Sequence, residues 1–179
     1  MKYSKYNSNN IDEIKTLFTK TFSDSEGESE GQLIGELAYN LLSTTDKNNI
    51  YVFVAKDDEN IAGCIIFTRL KFESTAVNAF LMSPVAVATN FQGKGTGQEL
   101  IRFGLNSLRQ EGVELVFTYG DPDFYSKAGF VHVDEESVKA PLNLAHPEGW
   151  LGQSLAGPEI QPVPGISFCV EAINNPVYW

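Results

Sequence analysis

The sequence predicts an α/β protein of the α+β kind, with a mixed, mostly antiparallel central sheet of about six to seven strands flanked by helices. Three observations carry this expectation. Residues 11–22 and 30–42 place apolar side chains at the helical period. Residues 50–70 hold two apolar runs around a polar turn, the signature of a hairpin. An apolar run at 78–88 then breaks into a glycine-rich turn and a helix-like stretch, and a buried-type strand follows at 113–118. That order is a βαβ unit with parallel strands.

Taken in order, residues 2–7 read as a short edge strand. In the first helix Ile11, Ile14, Leu17, Phe18 and Phe22 form the apolar stripe, with Asn10 as N-cap and Glu13 as its capping partner. An acidic patch follows, Asp24, Glu26, Glu28 and Glu30, with no basic residue among them. It suits a solvated loop and helix start, where carboxylates favour the positive end of the dipole, or an acidic lip that attracts an amine. The second helix carries Leu33, Ile34, Leu37, Leu41 and Leu42. In the hairpin, Asp57-Asp58-Glu59-Asn60 forms a loop somewhat longer than the tightest type.

Residues 78–88 are apolar on both faces, as a central strand is, yet Pro84 removes a ladder donor. A bulge, where the strand parts from one neighbour, reconciles the two. In the helix at 98–109, Leu100, Ile101, Leu105 and Leu108 share a side with Gly104, which permits close approach to a sheet, and Gly112 ends it. A short helix at 123–128 stops at Gly129, and residues 130–133 continue as a strand. Five of the eight prolines fall between Pro141 and Pro164, so this region reads as loop anchored by Trp150 and Leu151, before a closing strand at 165–172. The expected organisation is one domain over 1–179, with a core of 1–135 and a proline-rich loop plus closing strand over 136–179.

A chain of 179 residues buries about 70% of its unfolded surface, and 42% hydrophobic content supplies a core without disulfides or metal. The net charge of −10 argues against nucleic acid, whose binders displace counterions with basic patches. It suits an amine-bearing partner, and equally an ordinary acidic cytoplasmic protein. Cys64 and Cys169 make neither a disulfide framework nor a zinc site and are expected as small core residues. No signal-like or membrane-spanning apolar run is present, so a cytoplasmic protein without a membrane partner is expected. Either a monomer or a homodimer is compatible with the sequence.

The chain is organised around residues 85–97, Val-Ala-Val-Ala-Thr-Asn-Phe-Gln-Gly-Lys-Gly-Thr-Gly. A glycine turn opening onto a helix gathers backbone N–H groups, and the helix start adds unpaired donors and partial positive charge. Phosphate or pyrophosphate fits such a place. A Walker A loop ends in Gly-Lys-Ser/Thr, but Lys94 is followed by Gly95. A Rossmann loop needs Gly-x-Gly-x-x-Gly after the first strand of its domain, and Gln98 stands where the third glycine belongs.

What remains, Gln92-x-x-Gly95-x-Gly97 after an apolar strand, resembles the acetyl-CoA pyrophosphate loop of the GNAT superfamily of N-acetyltransferases, Gln/Arg-x-x-Gly-x-Gly/Ala. The order of elements agrees with the GNAT (acyl-CoA N-acyltransferase) fold. The run 120–130, Gly-Asp-Pro-Asp-Phe-Tyr-Ser-Lys-Ala-Gly-Phe, is similar to the Gly-Asp-Pro…Tyr-x-x-x-Gly-Phe signature of the YhbS-like subgroup. The resemblance covers residues 5–135 well and the C-terminal 40 poorly.

The resemblance implies acetyl-CoA as acyl donor and a primary amine, on a small molecule or protein, as acceptor. Backbone groups of Val85, Ala86 and Val87 would pair with the pantetheine arm. N–H groups of Gly93, Lys94, Gly95, Thr96 and Gly97, with the helix start at Gln98, would cradle the pyrophosphate. Lys94 either adds charge or is an ordinary exposed lysine, and Gln92 braces the loop. Amine attack on the thioester would place an oxyanion on an N–H near Val85. Tyr125 matches the family's general acid, since a phenol of pKa about 10 is protonated at neutral pH; it also suits packing beside Phe124 and Phe130. No carboxylate lies in 78–88, so Glu73 and Asp121 are the candidate general bases, with Asp121 equally suited to cap the next helix. His132 reads as a strand residue. A non-catalytic acyl-CoA-binding or regulatory module, and a nucleotide-binding protein using the same loop, are the alternative readings.

Overall fold

The computed structural model describes residues 1–179. The strands are β1 (Lys2–Lys5), β2 (Ile50–Asp57), β3 (Asn60–Phe72), β4 (Ala79–Val87), β5 (Leu115–Tyr119), β6 (Val131–His132), β7 (Trp150–Ser154) and β8 (Ser167–Phe168). The α-helices are α1 (Ile11–Glu26), α2 (Glu28–Thr44), α3 (Thr96–Gln110) and α4 (Pro122–Tyr125). The strands run in the order β1-β2-β3-β4-β5-β7-β6, with β8 added to β3. β4 and β5 pair in parallel, whereas β1–β2, β3–β8, β5–β7 and β6–β7 are antiparallel. The mixed, mostly antiparallel sheet flanked by helices is therefore present, with eight strands instead of six to seven.

The extra strand is β7, in the stretch read as loop. It pairs between β5 and β6, and Trp150 and Leu151 are buried in it. Its sequence, Trp-Leu-Gly-Gln-Ser, lacks β-branched residues and contains a glycine, so it gives no strand signal. Packing requires that glycine: a Cβ on Gly152 would lie 2.7 Å from Ile160 Cδ1 and 3.0 Å from two Phe117 ring atoms. The closing strand expected at 165–172 is only the two residues of β8.

The chain divides into two compact units, Met1–Phe67 with Pro84–Gly104, and Thr68–Ser83 with Leu105–Trp179. In the first, α1 and α2 are joined by Gly27 alone, at φ 100°. They pack closely: a Cβ on Gly31 would stand 2.5 Å from Thr19 O and 2.8 Å from Ser23 N. Phe53, Phe67 and Phe103 meet edge to face at 5.7–5.9 Å between centroids. In the second, Phe117 stacks on Trp150 at 5.2 Å, and the Trp150 indole N–H donates to Val138 O at 2.9 Å, so its burial leaves no donor unpaired.

Several local expectations are corrected. Asn10 makes no side-chain cap bond, and the Glu13 carboxylate, expected as its capping partner, accepts from the Tyr6 hydroxyl instead. The β2–β3 connection is the tight two-residue type, Asp58-Glu59, with Asp58 at φ 51°. Asp24 and Glu26 end α1, and only Glu28 and Glu30 begin a helix. Cys64 is fully buried as expected, but Cys169 is half-buried. No helix is long and apolar enough to cross a membrane.

Candidate active site

Within the second unit, the β4–β5 ladder pairs Ala79↔Leu115, Phe80↔Val116 and Leu81↔Phe117. β4 continues beyond this last pair to Val87, so Pro84, which has no N–H to give, lies past the β5 ladder. In the first unit Pro84 and Ala86 are buried, while Val85 and Val87 are half-buried. Ala88 N donates to Ala62 O at 2.8 Å, fixing the chain where it leaves the strand.

A short 3₁₀ turn (Thr89–Phe91) leads into the glycine turn, which is built from local bonds. Gln92 Nε2 donates to Val87 O at 2.8 Å and Lys94 Nζ to Asn90 O at 2.9 Å. Gly93 and Gly95 hold φ +71° and +83°, the left-handed region that suits glycine. Nothing lies within 4 Å of a Cβ at either position, so conformation and not space demands glycine there. The helical ladder begins with Glu99 N donating to Gly95 O at 3.0 Å. The N–H groups of Thr96, Gly97 and Gln98 precede it and have no carbonyl partner within it. Such a terminus favours an anion. Glu99, the one acidic residue of that first turn, accepts from the Tyr3 hydroxyl at 2.6 Å. Burial, followed by the bond to Glu99 and its charge, pushes the Tyr3 pKa up to about 12. At the end of α1, Asp24 accepts from Thr89 Oγ1 at 2.5 Å, fastening the 3₁₀ turn from its other side.

The second unit holds Tyr125 and Asp121. Asp121 Oδ1 accepts from Asp123 N at 2.9 Å, capping α4 with Pro122 in its first turn. Tyr125 is clamped by Phe124 and Phe130, at centroid separations of 5.0 and 6.0 Å. Gly120 leaves room for its ring, since a Cβ there would stand 2.7 Å from Tyr125 Cε2. Burial pushes the Tyr125 pKa up to about 12, a hydrogen bond with the Thr118 side chain opposes that rise, and the Asp121 charge adds to it.

Glu73 is not brought to this place. It follows β3, in the connection leading to the start of β4, and is exposed, with its N–H donating to Ile166 O at 3.0 Å. Because β4 and β5 are parallel, that connection lies at the end of the sheet where β5 begins. Asp121 and Tyr125 follow the end where β5 finishes. His132 is exposed in β6, and His146 Nδ1 stands 3.4 Å from Glu148 Oε1 on the surface. No group of His, Cys, Asp and Glu is arranged to hold a metal ion.

Thr118 is the residue that the sequence reading passed over. It is 1% exposed, and its Oγ1 donates to Met82 O at 2.8 Å. The only signal was a hydroxyl near the end of a largely apolar strand, and threonine is common in strands for reasons of shape alone.

Comparison with known proteins agrees with this architecture. The family model "Acetyltransferase (GNAT) domain" matches residues 48–132. YjhQ of Escherichia coli K12, described as an uncharacterized N-acetyltransferase, is 28% identical over 148 residues, spanning 80% of this chain and 78% of its own. YhbS of the same organism, likewise described, is 30% identical over 118 residues, spanning 65% of each chain. The crystal structure of E. coli YhbS in complex with CoA superposes with a TM-score of 0.82 at 23% identity, covering 97% of this chain and 92% of that one. A GNAT family acetyltransferase from Brucella melitensis in complex with acetyl-CoA gives a TM-score of 0.74 at 22% identity, covering 96% and 97%. At these identities the two structures establish the fold. The domain match over residues 48–132 and the sequence relatives bear out the resemblance to GNAT acetyltransferases such as YhbS.

Proposed function

We propose that this protein transfers the acetyl group of acetyl-CoA to a primary amine, which attacks the thioester directly. The observation that carries the reading is the turn from Gln92 to the start of α3: two left-handed glycines, a glutamine brace and three helix-start N–H groups outside the ladder. YhbS and the Brucella protein, crystallised with CoA and acetyl-CoA, support the same donor.

In this reading Gly93, Lys94, Gly95, Thr96, Gly97 and Gln98 hold the pyrophosphate through backbone donors. Val85, Ala86 and Val87 offer strand-like backbone to the pantetheine arm, and an N–H near Val85 receives the oxyanion. Gln92 acts by bracing. Lys94 is tied to Asn90 O, so charge is its contribution. Tyr125 serves as the acid toward the departing thiolate through its phenol O–H. A phenol at about 12 and a thiol near 8.5 are separated by about 5 kcal/mol against full transfer. Tyr125 therefore acts as a strong hydrogen-bond donor while sulfur charge develops, and proton release by the attacking amine completes the balance.

Of the two candidate carboxylates, Asp121 adjoins Tyr125, and Glu73 belongs to the other end of the sheet. Asp121 is engaged as a cap, so the acceptor reacts from its neutral form and its proton passes to water. The net charge of −10 favours a cationic amine in solution. The reading treats residues 1–179 as one catalytic domain, since β3, β4 and α3 each run through both compact units. It places the protein in the cytoplasm, where acetyl-CoA is available.

The test is thiol release from acetyl-CoA against a broad panel of amines, including polyamines, aminoglycosides and lysine peptides. Release that depends on the amine supports the reading. No release above background with any acceptor, together with tight CoA binding, favours an acyl-CoA-binding module.

A further inference from the structure

We infer that the groove along α1 is a binding site for a linear polyamine, and that its occupation strengthens binding of the donor at the neighbouring glycine turn. The site itself stands on geometry and charge, and only the link to the donor rests on the acetyltransferase reading.

The groove has a volume of about 730 Å³ and lies wholly within the first compact unit. Its walls are one face of α1, the β2–β3 turn and the residues that leave β4. Asp12, Glu13 and Asp24 line it from the helix and Glu59 from the turn, against the single cation Lys20, which forms no salt bridge with any of them. Glu13 accepts from the Tyr6 hydroxyl and Asp24 from Thr89 Oγ1, neutral donors that leave both charges uncompensated. Asp24 also lies in the last turn of α1, which carries no basic residue, so it meets the negative end of the helix dipole. A bound cation relieves both.

Thr21 is a second, independent sign of a ligand. It lines the groove and is only 7% exposed. Ser25 and Thr44 bond back to the carbonyl four residues earlier, but the Thr21 hydroxyl has no partner in the protein. Buried hydroxyls are ordinarily paired. Those of Thr45 and Thr68 are also unpartnered but fully enclosed, whereas the opening left to Thr21 is the groove it lines. An ammonium N–H in the groove supplies the donor that its oxygen lacks.

Spacing and floor decide the kind of cation. Glu13, Leu17, Lys20 and Asp24 follow one another along one helix face, and at about 1.5 Å per residue Glu13 and Asp24 stand about 16 Å apart along the axis. Carboxylates spread over that length do not gather round one ion, and no group of His, Cys, Asp and Glu here could hold a metal. Between them Leu17, Ile61 and Ala88 form an apolar floor. A linear polyamine matches both features, with ammonium groups at intervals for the carboxylates and methylene runs for the floor. The glycine turn is its neighbour, since Asn90 lines the groove and its carbonyl accepts from Lys94 Nζ at 2.9 Å. In the acetyltransferase reading that turn holds a pyrophosphate, which a polycation beside it attracts. By linkage each ligand then tightens the other by the same factor.

Spermine is the probe, titrated by calorimetry into the full chain at low salt without CoA. It should bind the parent and lose affinity as salt is added. Asp12→Asn with Glu59→Gln removes two exposed carboxylates of the groove and should weaken spermine about 5- to 20-fold. Thr21→Val, which keeps the shape, should weaken it about threefold, and Lys20→Gln should tighten it about twofold. Glu111→Gln with Glu136→Gln removes the same charge from exposed positions in the second unit and should leave affinity within about twofold. Equal losses in the two double variants reduce the binding to the net charge of −10 and overturn the site, as does a parent that binds no spermine. An N-acetylated tetralysine amide, of the same charge, that binds more tightly than spermine overturns the assignment to a polyamine. For the link, saturating spermine should tighten CoA about fivefold, and unchanged CoA affinity overturns it. A parent that binds no CoA counts against the acetyltransferase reading, and the spermine titration still decides the groove.

Discussion

Gln92 Nε2 donates to Val87 O across 2.8 Å, fastening the glycine turn to the last residue of β4. The brace orders the turn before any ligand arrives, so the cost of arranging it is met in folding and not in binding. Gln92→Ala should weaken CoA binding about fivefold, the equivalent of about 1 kcal/mol for one neutral hydrogen bond. Calorimetry with CoA reads the change, and a melting temperature close to the parent's shows that the fold is intact. Unchanged affinity would mean that the turn keeps its form without the brace.

The Tyr125 ring is seated against the bare Cα of Gly120, where a methyl group would fall 2.7 Å from Cε2. Gly120→Ala should displace the ring and lower kcat about tenfold or more, with KM for acetyl-CoA little changed. Tyr125→Phe, which keeps the ring and removes the proton, should lower kcat about 100-fold, within the usual range for losing a general acid. Wild-type turnover by Tyr125→Phe would remove the acid role.

Asp121 can be dissected because asparagine caps a helix as well as aspartate does. Asp121→Asn keeps an acceptor for Asp123 N and removes the charge, so kcat should stay within about threefold. Asp121→Ala loses the cap and should cost about 1 kcal/mol in urea unfolding. A collapse of kcat in Asp121→Asn with unchanged stability would identify the carboxylate as the base after all.

The pH dependence should belong to the acceptor. Tyr125, pushed up to about 12, stays protonated through the working range. For an amine of pKa about 10.4 the neutral fraction rises about tenfold per pH unit, so kcat/KM should climb with that slope from about pH 7 to 9. Stability follows the opposite course at high pH. A phenol whose pKa is raised on folding contributes fully below the unfolded value near 10, and that contribution is lost as pH rises through about 12. The urea midpoint should therefore fall between pH 10 and 12.

The pairing of α1 with α2 depends on Gly31. A Cβ there meets backbone, Thr19 O at 2.5 Å and Ser23 N at 2.8 Å, which cannot rotate away as a side chain can. Gly31→Ala should destabilise the protein by about 2–3 kcal/mol despite the better helix propensity of alanine, read as a lower urea midpoint at unchanged slope.

The sequence by itself determined the order of elements, the helix and strand types over residues 2–133 and the glycine turn. These follow from local causes: side-chain period, β-branching, and glycines at 93 and 95 that only a left-handed backbone requires. The donor was legible in the same way, because Gln92-x-x-Gly95-x-Gly97 is a local spacing. Tertiary structure decided what local pattern cannot carry. β7 exists because its edges pair with β5 and β6 and because Phe117 and Ile160 leave Gly152 no room for a side chain. The supposed Asn10–Glu13 cap yielded to Tyr6, and Glu73 was separated from Tyr125 by the parallel direction of β4 and β5. Thr118 looked like any strand threonine until its buried hydroxyl proved to donate to Met82 O. Each of these depends on contacts between residues far apart in the chain, which a one-dimensional spacing does not encode.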